Sequence, residues 1–407
     1  MSLGLVKRVL VICPLSIMQS AWQTDLFKFA VHRTVDVAYG DAAKRAKIIS
    51  GPAEFVIINY DGVNTVASNI LEYGKFDLIV IDEANAYKNV QTKRWKIMNK
   101  LVSPSTRLWM LTGTPAAQSP VDAYGLGRLC VPQRAPRFFG DYRESVMQKL
   151  DMYRWIPRPH ANQIVFDMLQ PAIRYEKAQC LDLPDVTYTS RMAPLTPSQA
   201  KYYKELKKEM LLELAGEEVS TVNAAAKMNK LLQIACGAVY SDSGATIEFD
   251  VSSRMNVVQE VIDEANHKVL IFAPFRHAIE LLKEHLTKNG VTCEVINGEV
   301  PAHKRAAIFK DFQEKPTIKA LVIQPQAASH GVTLTAADTI IWYAPVTSTE
   351  TYLQANARIN RPGQRHPMTV VHIQGSPIER RLYTMLQSNI SNHEKIVDLY
   401  KKELLDA

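Results

Sequence analysis

Short hydrophobic runs recur through the first third of the chain: RVLVICP, TVDVAY, EFVIINY, FDLIVIDEA and TRLWMLTGT. Between them lie stretches with helical spacing of apolar positions, such as SIMQSAWQTDLFKF and residues 91–101. This alternation of β-rich runs with helices predicts an α/β fold built on a parallel sheet, with helices on both faces and ligands at the carboxyl ends of the strands. From residue 131 to about residue 250 the alternation breaks. Pro132, Pro136, Pro157, Pro159, Pro171 and Pro184 punctuate the segment, and two long helical patterns follow, SQAKYYKELKKEMLLELAG and TVNAAAKMNKLLQIACGAVY. The strand–helix rhythm then resumes with KVLIFAPF, TCEVING, KALVIQP, DTIIWYAP and TVVHIQG, with helices expected over 279–288, 301–312 and 348–360. Residues 378–405 read as one or two amphipathic helices. The pattern predicts a first α/β domain over 1–130, a helical segment over 131–250 and a second α/β domain over 251–407.

Composition narrows the class. A chain of 407 residues, 47% hydrophobic and 22% charged, is long enough for two or three domains with real cores. No apolar run reaches the length of a membrane span. Cys13, Cys130, Cys180, Cys236 and Cys293 are widely spaced and include no C-x-x-C pair. Neither a zinc site nor a disulfide framework is indicated, and a reducing, intracellular setting is expected. The net charge of +7 and pI near 9.0 are compatible with a polyanionic partner.

Candidate chemistry gathers where strands end. Asp82 and Glu83 close FDLIVIDEA, and two acids directly after a buried strand are costly unless they hold a metal or a proton; a helix cap is the plain alternative. In YLQANARINRPGQR, Gln354, Arg358 and Arg361 fall at steps of four and three, so a helix running to Asn360 would align them until Pro362-Gly363 ends it. Two guanidiniums one turn apart repel, and an anion between them, a nucleotide phosphate above all, would relieve this. A solvated basic face is the other reading.

The pattern Q-x-x-x-R-x-x-R-x-G-Q resembles the last helicase motif of the Swi/Snf family, DNA-translocating ATPases of helicase superfamily two. Other motifs follow in order. IDEANAYKN resembles the family's D-E-A-H box, with Asn85 in place of His, and LTGTPAAQSP its third motif, carried by Thr112, Gly113 and Thr114. VLVICPLSIMQSAW resembles motif Ia and IINYDGVN the motif after it. ASHGVTLTAAD resembles motif V, in which Gly331 would let backbone approach phosphate or ribose. LTPSQAKYYKEL and MNKLLQIACG are similar to the helical insertions of Swi/Snf motors; Lys201, Lys204, Lys207 and Lys208 there could contact DNA or form a solvated face.

The resemblance implies two RecA-like lobes with helical insertions between them, and an ATP-driven translocase on double-stranded DNA. It implies ATP and Mg²⁺ as cofactors, with Asp82 holding the metal and Glu83 polarising the attacking water. Arg358 and Arg361 would reach the phosphates across a cleft, Arg361 as the arginine finger, with Gln354 beside them. Leu15, Ser16, Asn59 and Tyr60 would touch the DNA backbone. A cytoplasmic, nucleoid or nuclear location with DNA follows. A strand-separating helicase and a non-enzymatic DNA-binding module are the alternatives. One motif is missing: no G-x-x-x-x-G-K-[ST] P-loop occurs, and the only Gly-Lys, Gly74-Lys75, has Asn69 and Phe76 where a Gly and a hydroxyl belong. A first lobe truncated before motif Ia is therefore expected, a degenerate relative being the alternative, with little ATP hydrolysis by the chain alone.

Overall fold

The structure is a computed structural model that describes residues 1, 4–116, 119–150, 155–175, 177–214, 221–240, 246–328 and 332–388. The chain divides into two compact units, Met1–Tyr175 and Glu176–Ala407. The proline-punctuated middle is shared between them: helix Ala161–Leu169 belongs to the first unit, and helices Pro197–Leu214 and Thr221–Cys236 to the second.

In the first unit the five hydrophobic runs form β1 (Val9–Cys13), β2 (Val35–Val37), β3 (Phe55–Asn59), β4 (Leu78–Ile81) and β5 (Arg107–Met110). All pair in parallel, in the order β2-β3-β1-β4-β5. β1 and β4 are buried along their whole length, as uniformly apolar strands are when both sheet faces are covered. Alternate side chains serve opposite cores. Leu10, Ile12, Ile79 and Ile81 pack with Met98 and Leu126 on one face, and Val9, Val11, Cys13 and Val80 with Ile17 and Met18 on the other. Helix Lys93–Leu101 starts where the Thr92 side chain accepts the Trp95 N–H at 3.2 Å.

The second unit holds β6 (Val186–Met192), β7 (Lys268–Phe272), β8 (Cys293–Ile296), β9 (Ala320–Ile323), β10 (Ala337–Trp342) and β11 (Met368–Gln374). These too are all parallel, in the order β8-β9-β7-β10-β11-β6. The first five repeat the order of the first sheet, and β6 adds a sixth strand at the edge beyond β11. A buried ion pair braces this unit: Arg254 Nη2 lies 2.7 Å from Glu379 Oε1, with side-chain exposures of 3% and 0%. Glu379 Oε2 also accepts the Gly375 and Ser376 N–H groups at 2.8 Å, capping helix Pro377–Gln387.

Two expectations need revision. SIMQSAWQTDLFKF is not one helix but a 3₁₀ turn at Leu15–Ile17, a π-helix over Met18–Gln23 and an α-helix over Thr24–Phe29. The helix expected over 348–360 ends at Asn356. The last amphipathic segment begins, as expected, as helix Pro377–Gln387, and its part from residue 389 onward lies outside the described residues.

Candidate functional site

In the first unit, Asp82 and Glu83 follow β4 directly. The Asp82 N–H donates to Ile12 O and the Ala84 N–H to Leu111 O, both at 2.9 Å. With its neighbours pinned to β1 and to the end of β5, Glu83 takes a left-handed backbone, φ 47° and ψ 54°. For a residue with a Cβ that conformation costs about 1–2 kcal/mol, and such strain gathers at functional sites. The carboxylate of Asp82 is fixed from two sides: Oδ2 accepts Trp22 Nε1–H at 2.9 Å, and Oδ1 accepts the Glu83 N–H at 2.9 Å. Tyr60 OH donates to Asp82 O at 2.6 Å. Burial, reinforced by the Asp82 charge, pushes the Tyr60 hydroxyl and the Cys13 thiol far above their ordinary values, so both stay protonated.

Asp82 and Glu83 line an open hollow of about 370 Å³ with Met110, Leu111, Thr112, Gly113 and Ile173. The two acids and the Thr112-Gly113 segment, separate in sequence, thus share one site; the Thr114 N–H donates to Thr112 Oγ1 at 3.3 Å beside it. Among the described residues no cluster of three metal-ligating side chains occurs. Two adjacent carboxylates could hold a hard cation such as Mg²⁺, with water and phosphate oxygens completing its shell. Among the described residues, the hollow's lining includes no Lys or Arg. Asn85 lies in the 3₁₀ turn Ala84–Tyr87, its carbonyl accepting the Lys88 N–H at 3.2 Å.

The segments expected to meet nucleic acid differ from one another. Leu15, 47% exposed, and Ser16 stand open on the turn after β1. Asn59 and Tyr60 face inward: Asn59 Oδ1 accepts Arg45 Nη1–H at 2.8 Å, and the Tyr60 hydroxyl is committed to Asp82. Their side chains position the loop, and the Arg94 guanidinium, 4.9 Å over the Tyr60 ring, covers the tyrosine's face.

In the second unit the arginines are not on a helix. Arg358 N–H bonds to Ala355 O at 3.1 Å, a turn-type bond, while Arg358 O accepts the Leu334 N–H at 2.9 Å. Pairing with 332–334 draws the chain out of the helical ladder. Backbone oxygens hold the guanidiniums: Arg358 Nη1–H reaches Val332 O at 3.3 Å, and Arg361 Nε–H reaches Ala357 O at 3.1 Å. Arg358 is 2% exposed, whereas Arg361 is partly open. Gln354 stays on helix Thr349–Asn356, its Nε2–H donating to Glu350 at 3.3 Å. Gly331 lies outside the described residues. Sequence reasoning gave no role to Trp22, whose local pattern carried no signal of a carboxylate partner, or to Gln364, the last residue of the Q-x-x-x-R-x-x-R-x-G-Q pattern. That glutamine is 6% exposed and bonds through Nε2 to Ala337 O at 2.8 Å, holding the arginine loop to β10.

Comparison with known proteins places these features in a family. Residues 2–237 match the SNF2-related domain, and residues 253–363 the helicase conserved C-terminal domain. The chain is 25% identical to the mouse (Mus musculus) chromodomain-helicase-DNA-binding protein 1-like over 96% of its own length but 44% of that relative's, so it spans less than half of it. It is 24% identical to putative protein p41 of Acyrthosiphon pisum secondary endosymbiont phage 1, over 90% of this chain and 82% of that one. Among solved structures it is similar to the Sulfolobus solfataricus SWI2/SNF2 ATPase core in complex with dsDNA, at 25% identity and a TM-score of 0.42, covering 95% of this chain and 81% of that one. With the SNF2-related domain matched over more than half of its residues, the chain belongs to the SNF2 family of helicase-like ATPases.

Proposed function

We propose that this chain is the motor module of an ATP-driven translocase on double-stranded DNA, its nucleotide site completed by a phosphate-binding loop that these 407 residues do not carry. The observation that carries the reading is the hollow where Asp82 and Glu83 meet Thr112 and Gly113 at the carboxyl ends of β4 and β5. Asp82 would hold Mg²⁺, which when bound neutralises charge on the transferring phosphoryl group. Glu83 orients and polarises the attacking water. Arg361, the more open of the two arginines, supplies positive charge to the transition state, and Arg358 positions the loop that bears it.

The β5 edge supports the idea of a missing strand. The Arg107 and Leu111 N–H groups bond to Asp77 O and Ile81 O, so the intervening peptide groups of Leu108 and Met110 turn outward. Trp109 is 59% and Leu111 43% exposed beside them, an apolar edge of the kind proteins ordinarily cover. In the second unit the equivalent edge is covered by β6, which precedes that unit's first central strand in sequence. A parallel strand added to β5 would end, with its loop, beside the Asp82 hollow.

Duplex DNA as the track is supported by the net charge of +7 and by the DNA-binding helicase to which the chain is similar. Such a protein would work wherever the cell keeps DNA. Displacement of a triplex-forming strand from intact duplex by the chain fused to a strand, P-loop and helix tests the reading. Hydrolysis-dependent displacement without duplex separation is expected; unwinding of a forked duplex would assign strand separation instead.

A further inference from the structure

The two segments assigned to the DNA side of the first unit end in hydrogen bonds to the same residue. The Leu15–Ile17 turn, with Leu15 and Ser16 exposed, runs without interruption into the π-helix Met18–Gln23. Trp22 on that π-helix bonds the Asp82 carboxylate at 2.9 Å. The loop after β3 ends in Tyr60, whose hydroxyl bonds the Asp82 carbonyl at 2.6 Å. Ile17 and Met18, 3% and 2% exposed, anchor the start of the π-helix against β1, so a push on the turn is passed along the backbone. π-helical turns are rare and are frequent at functional sites. Here the π-helix carries an indole donor on the carboxylate expected to bind metal. The D-E-A-H-like box itself offers Asn85, which hydrogen-bonds but cannot carry charge.

We propose that Trp22 is a positioning residue that couples backbone contact of duplex DNA at the Leu15–Ile17 turn to the orientation of the Asp82 carboxylate, with Tyr60 as a second strut. This rests on the assignment of Asp82 as a metal ligand. An ionised carboxylate has about four acceptor positions, and the Trp22 and Glu83 N–H groups occupy two of them. Freeing one donor lets the group rotate, and loss of such an outer partner typically weakens metal binding about 10–100-fold.

The test uses the chain as it stands, with ¹⁵N-labelled tryptophan. Its five indole N–H resonances are few enough to resolve, and the one absent in Trp22→Phe is that of Trp22. Addition of Mn²⁺ should broaden the Trp22 resonance selectively in the wild type, and Asp82→Asn should remove that effect. A short duplex at saturating concentration should shift the same resonance. Mn²⁺ affinity, read by water-proton relaxation, should fall about tenfold or more in Trp22→Phe, and Tyr60→Phe, which keeps the ring, should give a smaller fall. If Asp82→Asn leaves Mn²⁺ binding unchanged, the metal assignment itself fails. If Mn²⁺ binding depends on Asp82 and the duplex binds, yet the wild-type Trp22 resonance ignores the duplex or Trp22→Phe binds Mn²⁺ as well as wild type, the coupling role of Trp22 is overturned.

Discussion

Replacing Gly125 with Ala should destabilise the first unit through the same turn that carries the site. Gly125 is buried in helix Ala123–Cys130, and a Cβ there would lie 2.2 Å from Lys88 O and 2.5 Å from Tyr87 O. Those carbonyls lie at the end of the 3₁₀ turn that follows Asp82 and Glu83. Ordinary contact begins near 3.4 Å, so one backbone must move by roughly 1 Å, and neither is a flexible side chain. Trp95 Nε1–H, bonded to Gly125 O at 2.8 Å, resists retreat of the helix. Ala gains about 1 kcal/mol over Gly in a helix interior, whereas overpacking costs about 1–3 kcal/mol or more. The net expectation is a loss of up to about 2 kcal/mol, a fall in Tm of up to about 4–8 °C for a unit of this size. Gly140→Ala is the matched control. It lies in helix Phe139–Val146, and its Cβ would meet nothing within 4 Å, so this change should be neutral or stabilising by up to about 1 kcal/mol. Urea denaturation followed by circular dichroism compares the two. Gly125→Ala as stable as Gly140→Ala would refute the close packing of the helix under the site.

Other outcomes follow from the second unit and from the site. Arg254→Met should cost about 3–5 kcal/mol, because it leaves the Glu379 carboxylate buried without its cation; calorimetry should show the loss in the second unit's transition alone. Burial lowers His372 and His277 to about 4, below the unfolded value of about 6.5. As pH falls the unfolded chain therefore takes up protons first, and stability that is complete above about pH 6.5 drains away toward pH 4. The urea midpoint should drop between pH 7 and pH 5, and less so in His372→Gln. In the completed protein, Arg361→Ala should lower turnover by about 10³-fold or more with little change in nucleotide affinity, and a turnover near wild type would remove the arginine-finger role. Duplex affinity should be nearly independent of base sequence and fall by about 0.9 log unit per neutralised phosphate for each tenfold rise in salt, as binding titrations would show.

Uniform hydrophobicity made most of the sheet framework legible. RVLVICP, FDLIVIDEA and KVLIFAPF have no polar alternation, and only strands buried on both faces need none. β6 escaped notice because VTYTSRM is half exposed at a sheet edge and follows a proline-rich stretch, so neither periodicity stands out. Asp82 and Glu83 stood out as candidates because acids at the end of an apolar strand are costly. The arginine loop was misread as helix because the spacing of Gln354, Arg358 and Arg361 is helical. What ends the helix is tertiary: Trp342 Nε1–H to Asn356 Oδ1 at 2.9 Å, and pairing of Arg358 O with Leu334. Trp22 and Gly125 matter through partners far away in sequence, and no local pattern announces such partners.

In the proposed function the carboxylate pair belongs to an ATPase site completed by a further strand and phosphate-binding loop. Steady-state ATP turnover, measured with and without duplex DNA, tests it on three proteins: the chain as it stands, the chain fused before β1 to a strand, P-loop and helix, and that fusion carrying Glu83→Gln. Background hydrolysis by the first, DNA-stimulated turnover by the second and its loss in the third are predicted. Robust DNA-stimulated turnover by the chain alone, surviving stringent purification, or a fusion that binds ATP and duplex yet never hydrolyses, would contradict it.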